Sequence, residues 1–310
     1  MIVEMPNTTT AKVSKNLVNI REEGGAVALG RVLTLVISTT PGDEEDAITA
    51  ANEASREHPM RVIVLSIPEV STNITNRLDA EIRVGGDAGA SEVIVLRAYG
   101  EVGSDEQGLV TSLLLPDAPV VVWWPKHSPA IASRSPLGAI AQCRITDAAA
   151  KEDSVAALKH LSTSYAPGDA DFAWTRLTSW RTQLAAVLDQ PPFEPITSGY
   201  VKAASGSPSA RLLAAWLQLQ LETPIEYRES NQGTLDGSIH EVVLSRSSGD
   251  IRIQRLSESA ARLEQPGQPR HDITLMRRSL RDCLAEELRR LDPDVVYGSV
   301  VTHGVSALGL

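Results

Sequence analysis

Four groups of residues in this chain have types and spacings that could do chemistry. Gly85-Gly86-Asp87-Ala88-Gly89 follows an apolar run, and its glycines would let backbone amides close on a phosphate. It departs from the G-x-G-x-x-G order and leads into a second apolar run at Glu92, so a β-turn is the competing reading. Val120-Val121-Val122-Trp123-Trp124-Pro125-Lys126-His127 ends an apolar run with two indoles, an ammonium and an imidazole, and Arg134 follows in the same loop. Ligands and partners of open parallel sheets gather beyond the carboxyl ends of the strands. Neighbouring strand residues point to opposite faces, so Trp123 and Trp124 cannot fill the same side of a core. Either one indole is exposed and anchors an interface, or flanking helices cap both. The candidate partner-binding set is Trp123, Trp124, Lys126, His127 and Arg134.

The third group is Arg270, Arg277, Arg278, Arg281, Arg289 and Arg290, interleaved with Asp282, Glu286 and Glu287. A solvated helix face is the default reading, and a contact surface for an acidic partner or a phosphorylated ligand is the functional one. The fourth is the pair Cys143 and Cys283, too few and too distant in sequence for a disulfide scaffold or a C-x-x-C site. Cys283 falls on a helical apolar stripe and reads as a small hydrophobe. Trp180 and Trp216, also on helical stripes, read as core.

The nucleophile elbow G-x-S-x-G, the zinc helix H-E-x-x-H, the phosphate loop G-x-x-x-x-G-K-[ST] and the kinase motifs do not occur in the chain. Its 6 histidines fall in no metal-ligand spacing. No catalytic residue, cofactor or metal is therefore assigned. With 29 basic against 39 acidic residues the net charge is −10, which argues against a protein that neutralises nucleic-acid phosphates. No apolar run approaches membrane-spanning length, and the first residues show no export signal, so the expected compartment is the cytoplasm.

The elements that would position these groups follow from periodicity. At 310 residues, two domains are expected. Thr10 to Glu23 has helical spacing and stops at Gly24-Gly25; Arg31 to Ser38, a helix opened by Asp43-Glu44-Glu45-Asp46, and Arg61 to Ser66 give the strand-helix-strand order of a parallel crossover. Strands at Ala80 to Val84, Glu92 to Leu96, Val120 to Trp124 and Cys143 to Thr146 complete an N-terminal mixed, mostly parallel α/β layered domain. One helix over Phe172 to Leu188 is expected to bridge the domains. Beyond it come strand Thr197 to Ala203, a helix capped by Ser207-Pro208 and running to Leu221, and strands at Ile225, Glu241 and Ile251. A helix from Met276 to Leu291 is expected to pack on that antiparallel sheet. The domains are placed at 1–168, α/β, and 169–310, a smaller α+β domain.

Read together, His58-Pro59-Met60-Arg61-Val62-Ile63-Val64, Arg83-Val84-Gly85-Gly86, Ser91-Glu92-Val93-Ile94-Val95-Leu96-Arg97-Ala98-Tyr99-Gly100-Glu101 and Leu113-Leu114-Leu115-Pro116-Asp117-Ala118-Pro119 through Trp123-Trp124-Pro125 resemble the OpcA family, the assembly proteins of glucose-6-phosphate dehydrogenase. Pro136-Leu137-Gly138, Arg144-Ile145-Thr146-Asp147 and Trp174-Thr175-Arg176-Leu177-Thr178-Ser179-Trp180-Arg181 extend the resemblance, which runs from about Ala11 to Tyr297. The 23 arginines against 6 lysines resemble the actinobacterial branch. The resemblance implies a noncatalytic cytoplasmic protein that binds glucose-6-phosphate dehydrogenase, promotes its active oligomer and supports NADPH production in the oxidative pentose phosphate pathway. It implies no catalytic residue. NADP and glucose 6-phosphate are then ligands of the partner enzyme. The thiol-dependent control of cyanobacterial members would have only Cys143 and Cys283 to act through. The competing reading is a sugar-phosphate-binding protein or enzyme that uses the Gly85–Gly89 turn or the loop from Lys126 to Arg134.

Overall fold

A computed structural model describes residues 1–23, 32–69, 75–85, 92–230 and 238–309. They form two compact units, Met1–Thr146 with Leu280–Pro293, and Asp147–Ser279 with Asp294–Leu310.

Along the chain the first unit contains β1 (Ile2–Met5), α1 (Thr10–Glu23), β2 (Leu33–Thr39), α2 (Glu44–Ala54), β3 (Met60–Ser66), β4 (Arg77–Arg83), β5 (Glu92–Tyr99), α3 (Glu106–Thr111), β6 (Val120–Trp123), α4 (Pro136–Ala139) and β7 (Cys143–Thr146). Its strands lie in the order β1-β4-β5-β3-β2-β6-β7. From β5 to β7 the pairing is parallel; β4 and β1 add antiparallel strands at one side. Parallel strands covered on both faces read as continuous apolar runs, and all seven residues of β3 are buried. Val36, Ile63, Ile94 and Val122 meet Val13 and Leu17 of α1 and Leu109 and Val110 of α3 in one apolar cluster. Arg61 is the charged exception on β3. It donates through Nε to Glu92 at 2.8 Å and through Nη1 to the Leu113 carbonyl at 2.5 Å, which satisfies a buried pair that would otherwise be costly.

The second unit begins with α5 (Ser154–Ser164), β8 (Asp169–Asp171), α6 (Phe172–Thr175) and α7 (Thr178–Leu188). It continues through β9 (Ser198–Ala203), α8 (Pro208–Leu221), β10 (Ile225–Glu229), β11 (Ile239–Arg246), β12 (Gly249–Arg255), β13 (Ala260–Glu264) and β14 (His271–Thr274). The sheet order is β10-β9-β11-β12-β13-β14, antiparallel except for the parallel pair β9 and β10 that α8 connects. Ser207 caps α8, its Oγ accepting the Ala210 amide at 3.3 Å, with Pro208 in the first turn. Leu212, Leu213 and Leu217 of α8 share a core with Val201, Val242, Leu244 and Ile253 of the sheet. Next, α9 (Leu280–Arg289) returns to the first unit, and α10 (Val295–Ser299), a π-helical turn at Val300–Gly304 and α11 (Val305–Ala307) complete the second.

The two fold classes are those the sequence predicts. Two expectations change in detail. The helix over Phe172 to Leu188 is two helices, α6 and α7, interrupted at Arg176-Leu177, and both lie within the second unit. The helix expected from Met276 starts at Leu280, and its partner is α2, not the antiparallel sheet. Its buried stripe of Cys283, Leu284 and Leu288 belongs to the first unit, where Arg289 also reaches Glu57 at 3.1 Å. A cut at 168/169 is a division along the sequence; the spatial units divide at 146/147 and return 280–293 to the first, an arrangement that no single cut can express.

Candidate functional site

Strand β6 lies between β2 and β7, parallel to both, so the carboxyl ends of β3, β2 and β6 open on one edge of the first unit. Beyond β6, Lys126 Nζ stands 2.7 Å from Asp43 Oδ1 in the segment after β2. His127 Nδ1 stands 3.0 Å from Glu69 Oε1 in the segment after β3. The hydrogen bond from Lys126 is the main reason that the Asp43 carboxyl lies below its ordinary range; Thr40 Oγ1 adds a second bond at 3.1 Å. These pairs are solvated, with side-chain exposures from 31% at Asp43 to 60% at His127, and the Lys126–Asp43 ion pair is worth about 0.2–1 kcal/mol to stability.

The acidic opening of α2 occupies the same edge. Glu44 is buried, and its carboxylate accepts Ser66 Oγ at 2.7 Å and the Gly42 amide at 2.6 Å. Glu45 takes both terminal nitrogens of Arg83, at 2.6 and 2.9 Å, and Arg83 Nε also reaches Glu81 at 2.5 Å. Arg83 holds the Glu45 carboxyl below its usual range, and Glu45 and Glu81 push the Arg83 guanidinium up. A helix opening beyond a central parallel strand is the ordinary place for a phosphate. Here the chain's own carboxylate takes a backbone amide at that place, so the edge is a compensated, mixed-charge surface rather than an anion cradle.

Trp123 and Trp124 are 1% and 3% exposed, so the reading in which both are covered is the one that holds. Trp124 packs in the cluster of Val120, Val122 and Leu137, with Ala132 and Ile140 against it, and its amide donates to the Ile145 carbonyl at 3.0 Å. The loop therefore folds over an indole instead of displaying one. A 3₁₀ turn at Ala132–Arg134 leaves Arg134 exposed, and Ser135 then caps α4, its Oγ accepting the Gly138 amide at 3.0 Å. Lys126, His127 and Arg134 thus lie on one exposed loop, with Trp124 beneath it. Of the other sequence candidate, Gly85 takes a left-handed φ of +73°, and Gly86 to Gly89 lie outside the described residues. Cys143 and Cys283 are buried. Among the described residues no group of three or more His, Cys, Asp or Glu could hold a metal ion, and no helix is long and apolar enough to cross a membrane.

Sequence reasoning reached the loop but missed Asp43 and Glu69, its acidic partners. The run Asp43-Glu44-Glu45-Asp46 was legible as a helix start, whereas the register that sets it beside Lys126 follows from the order of the strands.

Two family models match successive parts of the chain. Residues 51–163 match the glucose-6-phosphate dehydrogenase subunit N-terminal domain, and residues 167–301 match the C-terminal domain of the same subunit. The chain belongs to this glucose-6-phosphate dehydrogenase subunit family. The family's N-terminal model spans β3 to α5, and its C-terminal model runs through α9, the helix that in space completes the first unit. No curated protein matches this family member. Solved structures with a similar course of chain include a dehydrogenase from Chromobacterium violaceum, at 9% identity over 89% of this chain and 93% of that one, TM-score 0.47. An oxidoreductase from Pseudomonas syringae has 8% identity over 90% of this chain and 94% of its own, TM-score 0.42.

Proposed function

We propose that this chain is a noncatalytic assembly factor and activator that binds glucose-6-phosphate dehydrogenase in the cytoplasm, favours its active oligomer and so supports NADPH formation in the pentose phosphate pathway. The observation that carries this reading is the presence of both subunit domains of the family, in order, in one chain. The physical mechanism is linkage: a protein that binds one oligomeric state more tightly shifts the population toward it, and about 1–3 kcal/mol of coupling changes affinity by roughly 5- to 150-fold. The contact surface is the loop carrying Lys126, His127 and Arg134 above buried Trp124. Its pairs with Asp43 and Glu69 can exchange partners across an interface at small cost, because both are exposed to solvent.

The test is the initial rate of glucose-6-phosphate dehydrogenase from the same organism, titrated with the purified chain at fixed substrate. A saturable rise is expected. Arg134→Ala combined with Lys126→Glu should raise the half-saturating concentration about tenfold or more with an unchanged circular dichroism spectrum. A flat titration overturns the activator reading; wild-type activation by the double variant moves the interface elsewhere.

A further inference from the structure

The second unit holds a cleft of about 70 Å³ that plays no part in the proposed dehydrogenase contact. At about 10–15 Å³ for each water-sized group it admits about five to seven such groups, the size of a phosphoryl group with its ester oxygen. Among the described residues four arginines line it, Arg176 between α6 and α7, Arg255 at the end of β12, and Arg277 and Arg278 beyond β14, and no carboxylate does. Asp147 holds Arg176 through two bonds of 2.7 and 2.6 Å, and Arg278 donates to the Thr175 carbonyl at 3.0 Å, so both are fixed in place.

Arg255 is the informative residue. Its Nη1 donates to the carbonyls of Ser257, Glu258 and Leu275 at 3.1, 3.3 and 2.9 Å, while Nε and Nη2 have no hydrogen-bond partner among the described residues. Its guanidinium lies 5.3 Å from the ring of Trp180, which forms an apolar wall of the cleft. Burial and the charge of Arg277 both work against the charged form of Arg255. A second polar group completes the lining. Ser209, in the first turn of α8, is 8% exposed, and its hydroxyl has no hydrogen-bond partner among the described residues. The remaining N–H groups of Arg255, a hydroxyl and the positive end of a fourteen-residue helix thus converge on one small space.

We propose that this cleft binds a small phosphate ester by its phosphoryl group. Arg255 supplies charge-assisted donors, Arg277 adds positive charge beside it, Ser209 supplies the hydroxyl, and Trp180 faces the apolar remainder of the ligand. The proposal stands apart from the dehydrogenase reading and survives its failure.

The experiment titrates the full chain with inorganic phosphate, by calorimetry and by thermal midpoint, against chloride at equal ionic strength. Saturable binding and a midpoint that rises with phosphate but not with chloride are expected. Arg277→Gln should weaken phosphate about tenfold and Ser209→Ala several-fold, each with an unchanged circular dichroism spectrum. Arg255 also holds the carbonyls of Ser257, Glu258 and Leu275, so Arg277 and Ser209 are the decisive positions. Absence of saturation up to tens of millimolar phosphate, wild-type affinity in both variants, or acetate binding as tightly as phosphate each overturns the assignment.

Discussion

His240 illustrates how a single residue links conformation to solution conditions. It occupies the bulge of β11, where the register against β9 shifts between Ile239 and Glu241. Burial first, and the charge of Lys202 second, hold its imidazole below the ordinary value of 6.5. A depressed value means that the folded state resists a proton which the unfolded state accepts. The stability is therefore complete above about pH 6.5 and declines as pH falls below that value toward the folded one. Thermal midpoints measured from pH 7.5 to 5 should fall more steeply for the wild type than for His240→Gln; parallel curves would remove His240 from the account. The same scale shows what sequence could reveal of the candidate site. Trp124, Lys126, His127 and Arg134 were legible as a group because an apolar run ending in Trp-Trp-Pro-Lys-His announces a strand end. The burial of Trp124 was not, because it depends on Leu137 and Ile140 folding back over the strand.

At the scale of elements, the strands with strong β-branched runs, β2, β3, β5 and β6, were all readable, as was the Ser207-Pro208 start of α8. By contrast, β13, Ala260-Ala261-Arg262-Leu263-Glu264, escaped notice because alanine, arginine and glutamate carry little β propensity, although Ala261 and Leu263 are buried in alternation. The stripe of α9 was plain and its partner was not, since periodicity defines a face without naming what covers it. Gly138 shows an element depending on one missing atom. A Cβ there would stand 1.8 Å from the Ala132 carbonyl oxygen, a backbone atom that can yield only if the Ala132–Arg134 turn moves. Gly138→Ala should cost about 1–3 kcal/mol of unfolding free energy in urea. If the loop is the dehydrogenase contact, activation should weaken in parallel. A stable variant with full activation would show that this turn can shift freely.

The whole molecule is two units threaded by one chain that passes between them at 146/147, 279/280 and 293/294. A fragment of residues 1–146 contains every strand of the first unit but lacks α9, and so exposes the apolar side of α2 that α9 contacts. That fragment should aggregate or melt well below the same fragment extended by a flexible linker to residues 280–293; equal midpoints would show that α9 is dispensable. The threading also has a temporal side. During synthesis the last strand of the first unit leaves the ribosome 134 residues before α9 begins, which at ~5–20 residues per second is roughly 7–27 seconds. Throughout that interval the oldest part of the nascent chain waits, unfinished, for one of the youngest.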